Sequence, residues 1–208
     1  MDLSCIVLAG GKSKRLGRNK LAETIGDKNL LARAISSLSC FNTEIIVVAA
    51  QDSVIPELPD YPALKLVQDI YPGKGALGGI YTGLVASGSN YNLVVACDMP
   101  FLSIDLLRYM VGQLGSYDVV IPRVNNGVLE PLHAVYSRRC IDHIELLIRQ
   151  DRLSILDLFP LVNVKYIQKE EIDNIDPEHL SFFNINTEAD LIAGKDIARK
   201  KGPANDQC

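Results

Sequence analysis

Residues 4–20 read SCIVLAGGKSKRLGRNK: five apolar residues run into Gly10 and Gly11, and the cations Lys12, Lys14, Arg15 and Lys20 follow. A short apolar run closed by glycine predicts a buried strand that stops abruptly. Two residues without Cβ atoms expose successive backbone N–H groups to close approach by a phosphate or a base edge. A cation about 4 Å from a phosphate oxygen gains on the order of 4 kcal/mol at an effective dielectric of about 20, before desolvation is counted. The plainer alternative is a strand-to-helix turn with a solvated basic fringe. The loop lacks the Gly-Lys-Ser/Thr ending of a Walker A motif, and only Gly17 follows the glycine pair, so it is not a dinucleotide fingerprint either.

Working outward, further apolar runs recur as EIIVVAA (44–50), LKLVQ (64–68), NLVVAC (92–97), YDVVIP (117–122) and LEPLHAVY (129–136). Most are apolar on both faces, which predicts an α/β fold with a mostly parallel central sheet covered by helices on both sides. Helix-period segments fall between them at Asn29 to Phe41, Gly78 to Ala86, Ser103 to Leu114, Arg138 to Arg149 and Ser154 to Leu158. Thr187 followed by Asp190 is a capping-box variant that opens a final helix over EADLIAGKDIARK. With 208 residues and no linker or repeat, one domain over 1–199 with a flexible tail at 200–208 is expected.

Charge and composition narrow the function. The net charge of −4 offers no global field for nucleic acid or an anionic membrane, so any anion is caught locally. Five widely spaced cysteines without CxxC or Cys/His spacing suit a reducing cytoplasm, and no apolar run has membrane-spanning length. A cytoplasmic protein is expected.

Asp98 follows the apolar run LVVAC and precedes Pro100, placing a carboxylate at a strand end. In open α/β sheets the carboxyl ends of strands border the ligand crevice. Mg²⁺ needs only one or two carboxylates beside phosphate oxygens and waters. The alternative is an aspartate that fixes the turn. Asp69 follows LKLVQ in the same way, and Asn184 and Asn186 sit in FFNIN, as turn formers or as neutral oxygen donors. Gly73, Gly75 and Gly78 match GxGxxG, but four residues separate them from the preceding strand and Asp98 belongs to another loop, which argues against NAD. His133, His143 and His179 do not cluster and receive no catalytic role.

Together, LAGGKSKRLGRNK, IIVVAAQ, VQDIYPGKGALGGIYTGL, VVACDMPFL, LEPLHAVYSRR and FFNINTEADL resemble the molybdenum cofactor guanylyltransferases, within the glycine-loop nucleotidyltransferases. The resemblance implies a three-layer Rossmann-like fold and Mg²⁺-dependent transfer of GMP from GTP to molybdenum-molybdopterin, with release of pyrophosphate. It assigns Leu8, Ala9, Gly10, Gly11, Lys20, Gln51, Asp69 and Asp98 to GTP and Asp98 to the metal. Arg15, Lys20 and Asp98 are the implied catalytic residues, and Asn184 and Asn186 meet the cofactor phosphate or the metal. A cofactor-delivery protein or a recipient molybdoenzyme is an implied partner. Two departures stand out: Gln51 occupies a position where relatives often carry asparagine, and GALGGI, where proline and alanine are common, is expected to be a more mobile loop. Alternatives are a CTP-using molybdopterin enzyme, a sugar-phosphate nucleotidyltransferase, or a non-catalytic nucleotide-binding module.

Overall fold

The computed structural model describes residues 2–10 and 19–201, with the side chain of Asn126 excepted. Gly11, Lys12, Lys14 and Arg15 of the glycine loop and the tail at 202–208 lie outside the described residues. The strands are β1 (Leu3–Ala9), β2 (Thr24–Ile25), β3 (Lys28–Asn29), β4 (Ile45–Ala49), β5 (Leu64–Gln68), β6 (Tyr91–Ala96), β7 (Val119–Pro122), β8 (His133–Ser137) and β9 (Val164–Ile167). The α-helices are α1 (Leu30–Leu38), α2 (Gly75–Ala86), α3 (Ile104–Gly112), α4 (Ile141–Arg149), α5 (Lys169–Asp173) and α6 (Glu188–Lys201). Seven strands form one sheet in the order β5-β4-β1-β6-β8-β7-β9, and β2 and β3 form a separate hairpin.

β1 runs at the heart of the sheet, parallel to β4 on one side and β6 on the other. All seven of its residues are buried. Because side chains alternate along a strand, Cys5 and Val7 join a core built with α1 and α3, whereas Ile6 and Leu8 join one built with α2 and α4. The mostly parallel, three-layer architecture expected from the doubly apolar runs is therefore present. β8 is antiparallel to both β6 and β7, the single reversal in the sheet, and β7 pairs parallel with β9. The carboxyl ends of β5, β4, β1, β6, β7 and β9 thus share one edge with the start of β8.

Local chemistry explains the helix ends. Asn29 caps α1 by accepting from Ala32 N at 2.7 Å, and Ser103 caps α3 by accepting from Leu106 N. Thr187 Oγ1 accepts from Asp190 N while Asp190 Oδ2 accepts from Thr187 N, the reciprocal pair anticipated for α6. Other expectations are corrected. GALGGI is not a mobile loop but the first turns of α2, which begins at Gly75 rather than Gly78. Its glycines serve packing: a Cβ on Gly83 would lie 2.6 Å from Ile6 Cγ2, and one on Gly79 would lie 3.3 Å from Leu8 Cδ2. Helix α2 can therefore press directly on β1. The segment 154–158 is a 3-10 helix, Ile155–Leu161, which contains Pro160 and so lacks a backbone donor. β5 is an edge strand with Leu66 exposed, unlike the doubly buried inner strands.

His133, fully buried on β8, packs edge-on against the Phe182 ring at 4.9 Å. Its Nε2 lies 3.4 Å from Ser181 Oγ, which in turn accepts from Ser103 N. The sheet, α3 and the segment leading to α6 are joined there. Burial pushes the His133 imidazole down to about 3, so the folded state holds the neutral ring.

Two expected outcomes follow from this packing. Gly83→Ala lowers stability by about 1–3 kcal/mol through overpacking, read as a reduced denaturant midpoint. Gly88→Ala, where an added Cβ meets nothing within 4 Å, serves as the control. For His133, the folded value lies below the unfolded value of about 6.5, so its contribution is complete above that pH and is lost as pH falls toward 3. Between pH 6.5 and 5 the loss amounts to on the order of 2 kcal/mol. Urea midpoints across that window fall in the wild type and less so in His133→Leu.

Candidate active site

The carboxyl edge of the sheet gathers side chains from distant parts of the chain. β6 ends beside β1, where Cys97 N donates to Leu8 O at 3.2 Å, and the chain turns at once with Met99 N donating to Ala96 O. Asp98 projects from this turn. Lys20 stands in the 3-10 turn Lys20–Ala22, whose start is fixed by Asn19: its Oδ1 accepts from Leu21 N and its Nδ2 donates to Val54 O. Lys20 Nζ donates to Asp98 Oδ2 at 2.6 Å and to Asn186 Oδ1 at 2.9 Å. Both members of the ion pair are largely sequestered, with side-chain exposures of 13% for Lys20 and 21% for Asp98.

Asn186 is itself held in place. Its backbone N donates to Asp190 Oδ2, and Ile185 N donates to Asp98 O at 3.0 Å, so FFNIN is tied to the turn after β6. Hydrogen bonds from Asn186 and Thr187, with a smaller contribution from Lys20, hold the Asp190 carboxyl below its ordinary range. Asp98 Oδ1 is a buried acceptor without a hydrogen-bond partner among the described residues. A buried carboxylate oxygen left unpaired costs free energy unless a cation or donor meets it.

The remaining expected residues separate into groups. Leu8 and Ala9 are buried at the end of β1, and Gly10 is exposed at its tip. Gly10 has no left-handed backbone requirement, and among the described residues a Cβ there would meet Ala50 alone, at 3.8 Å. Nothing in the described fold demands glycine at that point. Gln51 is exposed in the turn after β4. Asp69 lies at the same edge beyond β5, but its Oδ1 accepts from Tyr71 N at 3.0 Å and from Thr82 Oγ1 at 2.9 Å, shaping the entry to α2. Asn184 donates to Phe182 O, a local turn contact, and is not part of the Lys20 group. Arg15 and Gly11 lie outside the described residues.

Glu130, a half-buried carboxylate in LEPLHAVY, escaped the sequence reading, where the run served only as a strand. Burial raises its carboxyl, and the Asp98 charge raises it further. The signal that would have found it is an acid interrupting an apolar run just before an antiparallel strand. GxGxxG has its structural explanation too: Gly73 in the turn before α2 and Gly75 at its first position adopt φ of +82° and +66°, while a Cβ on Gly78 would lie 3.0 Å from Tyr71 O.

Comparison with known proteins accords with this geometry. Residues 5–159 match the model of the MobA-like NTP transferase domain. A probable molybdenum cofactor guanylyltransferase of Pelotomaculum thermopropionicum is 36% identical over 193 residues, covering 93% of this chain and 92% of that relative. A molybdenum cofactor guanylyltransferase of Desulfosudis oleivorans is 33% identical, covering 89% and 91%. The crystal structure of molybdopterin-guanine dinucleotide biosynthesis protein A from Archaeoglobus fulgidus superposes with a TM-score of 0.78 at 29% identity, covering 95% of this chain and 99% of that one. With a family model spanning most of the chain and relatives aligned nearly end to end, this protein belongs to the MobA-like NTP transferase domain family of nucleotidyltransferases.

Proposed function

We propose that the protein is a cytoplasmic molybdenum cofactor guanylyltransferase that transfers GMP from GTP to molybdenum-molybdopterin, giving the guanine dinucleotide form of the cofactor and pyrophosphate. The observation that carries this reading is the contact of Lys20 with Asp98 and Asn186, within a chain whose relatives are named for that reaction. In the reaction, a phosphate oxygen of the acceptor forms a bond to the α-phosphorus of GTP as the bond to the β-phosphate bridging oxygen breaks. The acceptor is already an anion, so no strong base is required. That suits a site whose nearby histidine, His133, is buried and neutral.

The residues fit a divalent cation. Asp98 Oδ1 is a buried, unpaired carboxylate oxygen, and Asn186 Oδ1 is a neutral oxygen close to the same ammonium. Such hard oxygen donors suit Mg²⁺. When bound, Mg²⁺ neutralises charge on the phosphates and lowers the barrier to their displacement. Lys20 supplies a second positive charge, held in position beforehand by Asp98 and Asn186 rather than recruited during the reaction. Gly10, exposed at the tip of β1 and without a Cβ, lets a purine and its phosphates approach the main chain closely. Asp69, Gln51 and the backbone of Leu8 to Gly11 complete the proposed GTP side. Asn184 supports the neighbouring backbone.

The decisive experiment incubates the protein with Mg²⁺, molybdenum-loaded molybdopterin and each nucleoside triphosphate, and analyses the products for a dinucleotide. GTP yields product with stoichiometric pyrophosphate, and equal release from CTP would overturn the choice of base. In the same assay Asp98→Asn and Lys20→Ala stay folded by circular dichroism and lose roughly a hundredfold or more in turnover. Wild-type rates in either would sink the site. Gly10→Ala is expected to leave the melting temperature unchanged, because among the described residues the added methyl meets no more than an ordinary contact at Ala50. Its kcat/KM for GTP falls by at least about tenfold.

A further inference from the structure

Thr82 places a buried hydroxyl on α2, among Gly79, Ile80 and Gly83, and the proposed mechanism does not use it. A polar group in such surroundings costs free energy unless it is hydrogen-bonded. Thr82 Oγ1 accepts from Ile70 N at 3.1 Å, lies 2.9 Å from Asp69 Oδ1 and lies 3.0 Å from Gly78 O. A threonine that served only its own helix would bond the carbonyl four residues back and nothing else. Its one proton cannot serve both acceptors at once. Gly78 O already stands opposite a backbone N–H of the helix, and a carboxylate is the stronger acceptor. The proton therefore goes to Asp69.

Asp69 is held at the carboxyl edge by its backbone and by one side-chain oxygen. Its N donates to Ala49 O at 2.8 Å, and Ala50 in turn lies 3.8 Å from where a Cβ on Gly10 would stand. The residue thus neighbours the end of β4, which neighbours the tip of β1. Oδ1 takes two donors, Tyr71 N at 3.0 Å and the Thr82 hydroxyl, one from the turn and one from α2. Together they fix the rotation of the carboxylate. Oδ2 makes no hydrogen bond with the described residues, and the half-buried side chain leaves it as an open acceptor.

We propose that Thr82 is a positioning residue for the nucleotide: its hydroxyl holds Asp69 Oδ1, so that Oδ2 meets an N–H or O–H donor of the GTP nucleoside at a fixed angle. This rests on the reading of Asp69 as a GTP contact given above. An ionised carboxylate only accepts hydrogen bonds, so it suits the guanine N–H groups or the ribose hydroxyls rather than phosphate oxygens. Fixing the acceptor beforehand removes a rotation that binding would otherwise have to freeze. Thr82, 3% exposed, acts through Asp69 and touches no ligand itself.

The test measures GTP binding to the full chain by calorimetry in Mg²⁺ for Thr82→Val, Thr82→Ser, Asp69→Ala and the double variant of Thr82→Val with Asp69→Ala. Thr82→Val keeps the shape and removes the hydroxyl, and it is expected to weaken GTP about tenfold. Thr82→Ser, which keeps the hydroxyl, binds as the wild type does. In turnover the KM for GTP rises in Thr82→Val while kcat at saturating GTP is retained. In the Asp69→Ala background the valine has no further effect, because the hydroxyl acts through the carboxylate. The same penalty with 2′,3′-dideoxy-GTP assigns the donor to the base, and its disappearance assigns it to the ribose; both support the inference. An equal loss in the Asp69→Ala background would overturn it and make Thr82 a packing residue. Wild-type affinity in Thr82→Val, or a loss in Thr82→Ser as large as that in valine, would also overturn it and leave the Asp69 reading standing. Wild-type affinity in Asp69→Ala would instead bring down that reading, and no GTP binding by the wild type would bring down the proposed function itself. Thr82→Ala carries the same comparison should the valine variant not fold.

Discussion

One ammonium group holds the site together. Lys20 Nζ joins a carboxylate 78 residues away to an amide 166 residues away, and each of the three side chains is set by a different local device. The lysine is placed by the Asn19-capped turn, the aspartate by the stop after β6, and the asparagine by the Asp190 cap of α6. A charge-assisted contact between largely sequestered partners is strong once formed, and costly to leave half-formed. The three elements therefore complete the site only together, while the sheet and the bond from Ile185 N to Asp98 O hold their frame without the ammonium.

The sheet makes that meeting possible. A parallel strand on each side of β1 sends the chain back repeatedly to one edge, so the loops after β1, β4, β5 and β6 are neighbours although dispersed in sequence. The antiparallel insertion of β8 adds something a wholly parallel sheet would not. It brings the start of a strand to the same edge, so that the segment leading into β8 joins the loops that follow the parallel strands. Helix α2 contributes from below: its glycines admit Ile6 and Leu8 of β1 at close range, fixing the strand whose tip carries Gly10.

Features encoded by neighbouring residues were legible in the sequence. The inner strands show as short apolar runs, and Asn29, Ser103 and Thr187 announce the helices they cap. The place of Asp98 follows from an apolar run closed by a proline. Features depending on contacts across the fold were not. β9 carries Lys165 and is only partly buried, so VKYI lacks a strand's apolar signature and is a strand because β7 pairs with it. The glycines of GALGGI read as a loop because glycine is unfavourable in an isolated helix. Only the pressure of β1 against that face explains them. Asn184 and Asn186 are equivalent in sequence, and the tertiary structure separates them, one toward Lys20 and the other toward Phe182 O. That Lys20 belongs with Asp98 came from family resemblance, since no local pattern links residues so far apart.

The charge at the site bears on how a polyanion enters a protein of net charge −4. Among the described residues, Asp98 pairs with the ammonium of Lys20, and the Asp190 carboxylate lies within reach of the same charge. A carboxylate whose buried oxygen has no partner among the described residues disfavours a bare anion beside it. On the proposed reading, the ligand that suits this edge is a nucleotide already complexed with a divalent cation. Its metal would meet the carboxylates while its phosphates face Lys20 and the main chain at Gly10. The acidity is then no obstacle to nucleotide binding but a filter: it favours the metal complex, the form of the triphosphate in which the α-phosphorus is ready for displacement, over the free anion.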